Sequence, residues 1–170
     1  EYGVPQSRER SIFLLVRKEV GITWPRPSPE HQLTSLEDAI GHLPSLDPLL
    51  REGIELTLQK FPEYETKKQA GLDVSPWHAP PTHPWRQVEW MMHTPSGKSA
   101  TFNDLHYPKK KDGSRIKAHH NHYRRLSWDK PCRTVDTYNS YLSTLCSVHP
   151  GRPCVSQNNS ASYSDARALS

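Results

Sequence analysis

Apolar residues are sparse along this chain and come in short runs, so each run predicts a short element. Residues 12–16, Ile-Phe-Leu-Leu-Val, read as a buried strand. Just before them Gln6, Arg8 and Arg10 recur at every second position, a spacing that sets all three on one face of an extended chain. Pro25, Pro27 and Pro29 bar regular structure over residues 21–31. From Thr34 a hydroxyl followed three positions on by a carboxylate predicts a helix start. That helix carries Leu36, Ala39, Ile40 and Leu43 on one face and stops at Pro44. Residues 46–61 carry both periods: Leu46, Leu49, Leu50 and Ile54 suit a helix, whereas Ile54, Leu56 and Leu58 alternate like a strand. We read that segment as a helix. Residues 62–84 are charged, then rich in Pro and His, and are expected to form a surface loop. Residues 85–93 read as a helix, Pro95 to Gly97 as a turn, and the small polar residues 153–162 as a loop.

Composition narrows the class. A chain of 170 residues can bury one real core, but with 34% apolar residues and 16 prolines that core is modest and surrounded by long ordered loops. The expected fold is therefore α+β: a small mixed domain of short strands, a few helices and Pro-rich loops. No apolar run approaches the roughly 20 residues that cross a bilayer, and no segment resembles a signal peptide. We expect a soluble, cytoplasmic protein with no membrane partner, and a monomer. Cys132, Cys146 and Cys154 are an odd set, which argues against a disulfide scaffold and for a reducing compartment. Together with His149 they can be assembled into a zinc site, but their spacing matches no paired-knuckle pattern, so no metal is assigned.

Charge changes the picture more through its distribution than through its sum of +4. Residues 1–84 hold 9 Lys and Arg against 12 Asp and Glu, residues 85–133 hold 11 against 4, and residues 134–170 hold 2 against 2. Clustered positive charge beside aromatics is the footprint of a nucleic-acid partner. The centre of that cluster is residues 104–125, where Lys109, Lys110, Lys111, Asp112 and Gly113 read as a hairpin tip or extended loop. Lys109, Lys110, Lys111 and Lys117 suit phosphates, while Arg115, His122, Arg124 and Arg125 suit base edges, since Arg reads guanine bidentately. Upstream, Gln6, Arg8 and Arg10 form a planar hydrogen-bonding comb fitted to phosphate oxygens or the edge of a base.

Tyr2-Gly-Val-Pro-Gln-x-Arg-x-Arg10, running into the apolar stretch, closely resembles the eighth motif of the C5-cytosine DNA methyltransferases. Four further segments are similar to that family in the same order. They are Ala39-Ile-x-x-Leu-Pro44; His78 and Pro80 with Pro95, Gly97, Ser99 and Ala100; Arg125-Leu-x-Trp-Asp-x-Pro-x-x-Thr-Val135; and His149-Pro-Gly-Arg152 with residues 163–170, which resemble the approach to the ninth motif. The resemblance implies a catalytic role beside the flipped cytosine for Gln6, Arg8 and Arg10, and a place next to the target base for Thr134 and Val135, with Arg133 in the same DNA-binding segment. It also implies a division of the chain: residues 1–20 as the end of a catalytic domain, 21–45 as a linker helix, 46–160 as a target-recognition domain, and 161–170 as the start of the ninth motif.

C5 methylation needs a thiolate nucleophile, an acid and bound S-adenosylmethionine. The chain lacks the family's Gly-rich cofactor loop and its Glu-Asn-Val segment, and Pro131-Cys132 and Pro153-Cys154 lack the residues that follow the family's nucleophile. The expectation is that this chain, alone, binds double-stranded DNA but not the cofactor and is inactive, the catalytic machinery being supplied by a domain N-terminal to Glu1. Two other readings stay open: a stand-alone DNA-binding module, and a metal-dependent nuclease built from His119, His120, His122 and Asp112 or Asp129.

Overall fold

The structure is a computed structural model that describes residues 4–8, 10–13, 15–22, 33–117, 122–134, 142, 148–155 and 161–169. Among the described residues the strands are two or three residues long and the longest helix has 11 residues, so packing between loops and helices, rather than a continuous sheet, builds the core there. This is a small mixed α+β domain, as the composition implied.

The first strand, β1 (Gln6–Ser7), pairs in parallel with β4 (Cys132–Arg133), in register Gln6 to Cys132 and Ser7 to Arg133. The described residues of 12–16 are not buried as their composition suggests: Ile12, Phe13 and Leu15 are 71%, 86% and 96% exposed. A strand needs a neighbouring edge to take its N–H and C=O groups, and among the described residues β1 meets one only over Gln6–Ser7. Helix α1 (Leu36–Ile40) starts one residue later than predicted. Ser35, not Thr34, is its N-cap, and Ser35 and Asp38 satisfy each other's backbone N–H groups in a capping box. The helix ends at Ile40, short of Pro44.

The helix read over residues 46–61 forms only in the second half of that segment, on the residues whose alternation looked strand-like, while a strand takes Leu49 and Leu50. β2 (Leu49–Leu50) pairs in parallel with β3 (Thr82–His83), and helix α2 (Ile54–Lys60) follows at once. The predicted loop at 62–84 is corrected too, because it contains the longest helix, α3 (Tyr64–Val74). Its apolar stripe is only Tyr64 and Gly71, seven positions apart, too thin to stand out from the surrounding charge. Gly71 is required there for close approach, since a Cβ would lie 2.5 Å from the His78 carbonyl and 2.7 Å from Leu46. Lys67 adds an ion pair to the nearly buried Asp47 at 2.8 Å.

Helix α4 (Trp85–Met92) falls where predicted and buries Gln87, Val88, Trp90 and Met91. Its first N–H donates to the Glu52 carboxylate, an anion at the positive end of the helix. The principal core joins Leu50, Phe61, Tyr64, Val88, Trp90, Met91, Ala100, Tyr123, Leu142, Val148, Ala166 and Ala168. A smaller cluster of Leu36, Leu126 and Cys132 lies where α1 meets β4. The expected loop at 153–162 is a hairpin at both ends, with β5 (Pro153–Val155) antiparallel to β6 (Ala161–Tyr163). Small polar residues hide a strand whose partner lies so close in sequence. Among the described residues no helix is long and apolar enough to cross a membrane.

Candidate nucleic-acid interface

The β1–β4 pairing brings together two segments more than 120 residues apart. The Cys132 N–H donates to the Pro5 carbonyl at 2.8 Å, and the register sets Gln6 opposite Cys132 and Ser7 opposite Arg133. Arg8 and Arg10 follow this pairing in the chain and line neither of the two clefts that share Arg124. Gln6 and Thr134 are half-buried, whereas Arg8, Arg10 and Arg133 are exposed. Next to this pair a cleft of about 520 Å³ is lined by Ser7, Leu33, Arg124, Ser127, Lys130 and Arg133, among others.

The segment forming its wall is held from behind. The first N–H groups of α1, which have no partner inside the helix, donate to the Lys130 and Trp128 carbonyls at 3.0 Å each. The Trp128 indole N–H donates to the Gly151 carbonyl at 2.8 Å. Arg152 lies over the Trp128 ring at 4.6 Å and pairs with Glu37 at 2.7 Å. The residues resembling the approach to the ninth motif thus clamp the wall of the cleft onto α1.

Arg125 requires a correction. It has no exposed surface, so it cannot reach a base edge. Nε and Nη2 donate to the Met91 carbonyl at 3.1 and 2.8 Å, Nη1 to those of His149 and Asp165 at 2.8 and 3.2 Å, and Nη2 to that of Tyr163 at 3.3 Å. Burial lowers its pKa to about 10, still charged at neutral pH. An RR pair in a basic stretch gave no sign that its second member turns inward. Gly151, at φ 67°, passes so close that a Cβ there would collide with the Arg125 guanidinium.

Beneath Arg125 lies a buried polar group. Burial alone would raise the Asp165 carboxyl; His149, Arg167, the Leu46 N–H and the Ser164 hydroxyl outweigh it and hold its pKa at about 2. His149, whose Nδ1 accepts from the Gly151 N–H at 3.1 Å, is pushed by burial to about 3 and stays neutral. Asp165 adopts φ 50°, a left-handed conformation rare outside glycine.

The basic hairpin forms as expected. Lys109 bridges Arg115 across it, the Lys110 N–H donates to the Ser114 carbonyl at 2.8 Å, and Gly113 at φ 82° makes the turn. The Asp112 carboxylate caps the tip by accepting from the Ser114 N–H and hydroxyl, which lower its pKa. Lys109, Lys110, Lys111 and Lys117 are exposed. Arg115 is exposed as well, but its fork donates to the Thr101 and Asn103 carbonyls and its plane lies 3.8 Å from the Tyr107 ring centre. It braces the hairpin. His122 is half-buried.

Among the described residues no three His, Cys, Asp or Glu side chains converge on a metal position. His119, His120, Val135 and Cys146 lie outside the described residues. The linings of the two clefts carry Lys and Arg and no carboxylate that would pair with the sulfonium or ammonium of S-adenosylmethionine. Lys98, Phe102, Ser127 and Lys130 line the clefts without having been singled out in the sequence, where the charge surplus of residues 85–133 was the only available signal.

Across all 170 residues the chain is 40% identical to the Type II methyltransferase M1.HgaI of Avibacterium volantium. It is similar to a methyltransferase. The chain spans 40% of that relative's length, and the match includes both segments joined by β1 and β4. No family model and no solved structure matches the chain.

Proposed function

We propose that this chain is the target-recognition part of a DNA (cytosine-5-)-methyltransferase. It binds duplex DNA and braces the extruded cytosine, while S-adenosylmethionine and the nucleophile are held by the rest of the enzyme. The observation that carries this reading is the parallel pairing of Gln6–Ser7 with Cys132–Arg133. It joins the two segments that resemble the family's target-base motifs at the rim of one cationic cleft. Arg133 lines that cleft, Arg8 and Arg10 are exposed just beyond the pairing, and each guanidinium can donate two parallel bonds to a phosphate or to a base edge. The 40% identity to a Type II methyltransferase supports the same reading.

The chain's own residues divide the work. Arg10 contacts the cytosine or a carboxylate beside it. Thr134 offers a contact available only after the base has left the stack, a step that costs a few kcal/mol. In the full-length enzyme Thr134→Ala spares DNA binding and slows single-turnover methylation several-fold, as expected for one lost contact of about 1 kcal/mol. Arg10→Ala costs more, because a charge-assisted contact is stronger. The methylated base recovered from hydrolysed DNA is expected to be 5-methylcytosine. Recovery of a methylated adenine, or substitutions that weaken binding while leaving the rate of bound complexes unchanged, would overturn this reading.

A further inference from the structure

A second cleft of about 510 Å³ opens on the other side of Arg124, lined by His93, Thr94, Lys98, Phe102, Asn103 and Arg124, among others. Arg124 lines both clefts. The Ser99–Arg124 bridge and the Arg125 N–H to Lys98 carbonyl bond at 2.9 Å fix the strands carrying these cations side by side. Among the described residues neither Lys98 nor Arg124 has an acidic partner.

Phe102, in the lining of the same cleft, is 73% exposed. Its loop is stiff on every side. Ser99 caps the turn by accepting from the Thr101 N–H, and the Asn103 side chain both donates to the His93 carbonyl and accepts from the Leu105 and His106 N–H groups. Arg115 grips the Thr101 and Asn103 carbonyls, and the rings of His93 and His106 stack at 3.6 Å. A large apolar ring on a pre-ordered loop loses little entropy when it is covered. Two cations and one exposed aromatic ring lining the same cleft are complementary to an anion joined to a planar ring, the chemistry of a nucleotide.

We propose that this cleft holds one nucleotide of the bound DNA strand near the target base, with its phosphate between Lys98 and Arg124 and its base stacked on Phe102. The inference rests on the reading of the chain as DNA-binding and deepens it. The strand leaves the target cleft along Arg124 and enters the second one, where a stacked base is held whatever its identity, since every base has a π-face.

The test uses the full-length enzyme and duplexes in which 2-aminopurine, fluorescent when unstacked and quenched on an aromatic ring, is moved stepwise along the methylated strand. One position beyond the target base changes emission on binding. Phe102→Ala abolishes that change at that position alone and weakens affinity about tenfold, while Phe102→Trp retains both. Lys98→Ala and Arg124→Ala each lower the slope of log affinity against log salt by about one. Unchanged emission and affinity in Phe102→Ala would overturn the proposal, and so would tight binding of free dAMP that Phe102→Ala removes while duplex binding is untouched. A signal that depends on Phe102 in an enzyme methylating adenine would keep this site and discard only the cytosine-5 assignment.

Discussion

Replacing Arg125 tests whether the buried guanidinium holds the domain together. In Arg125→Met five hydrogen bonds to four carbonyls disappear. The Met91 and Asp165 carbonyls keep a second donor, from the Thr94 and Arg167 N–H groups, so the cost falls mainly on those of His149 and Tyr163. Leaving a buried polar group unsatisfied costs roughly 1–3 kcal/mol, and the imperfect fit of Met in a space shaped for a planar fork adds to it. Removing the unfavourable burial of the charge offsets part of this. A net loss of about 4 kcal/mol is expected, within the range for breaking buried charged arrangements. For a chain of this size that lowers Tm by about 8–16 °C. Thermal unfolding followed by circular dichroism measures it, with Arg124→Ala as the neighbouring control, expected within about 0.5 kcal/mol of the unsubstituted protein. Arg125→Lys, which keeps the charge but not the fork, falls between. An unchanged Tm together with weakened DNA binding would return Arg125 to the interface and refute the buried arrangement.

His149 and Asp165 make stability fall in acid. His149 is held at about 3, below its unfolded value of about 6.5, so its contribution is complete above that value and is lost as pH falls toward 3. Asp165, held at about 2, adds a second loss between about 4 and 2. Tm measured from pH 7 to pH 4 should therefore decline, with a smaller slope in His149→Asn; a flat profile would mean that His149 is not buried as a neutral ring. Replacing Lys109, Lys110 and Lys111 together by Ala should weaken DNA binding for every sequence and reduce the salt slope by up to about one per lost phosphate contact. Affinity equal to the unsubstituted protein at low salt would remove the hairpin from the interface.

Local chemistry was readable wherever a residue's own backbone demands or nearest neighbours decide the outcome. Trp85–Met92 was legible because Trp85, Val88 and Met92 recur at i, i+3 and i+7, a helical spacing. The hairpin at 109–115 was legible because Asp112 and Gly113 meet the needs of a tight turn within four residues. The comb of Gln6, Arg8 and Arg10 was visible as a spacing, and its family resemblance as a motif. Residues 12–16 show where such reasoning stops: their composition favours a strand, but a strand forms only where another edge is present to take its hydrogen bonds.

What tertiary structure alone decided is which residues meet and which way they face. Arg124 and Arg125 are chemically identical neighbours, yet Arg124 is half-buried and open to both clefts while Arg125 has no exposed surface. The difference lies in the carbonyls of Met91, His149, Tyr163 and Asp165, contributed by segments 24 to 40 residues away. The pairing of β1 with β4 is likewise invisible along the chain, because two two-residue strands have no periodicity of their own. Sequence patterns record the local preferences of a segment. Burial and partnership depend on the free energy of the whole packed chain, in which an internal donor can satisfy distant carbonyls that water no longer reaches.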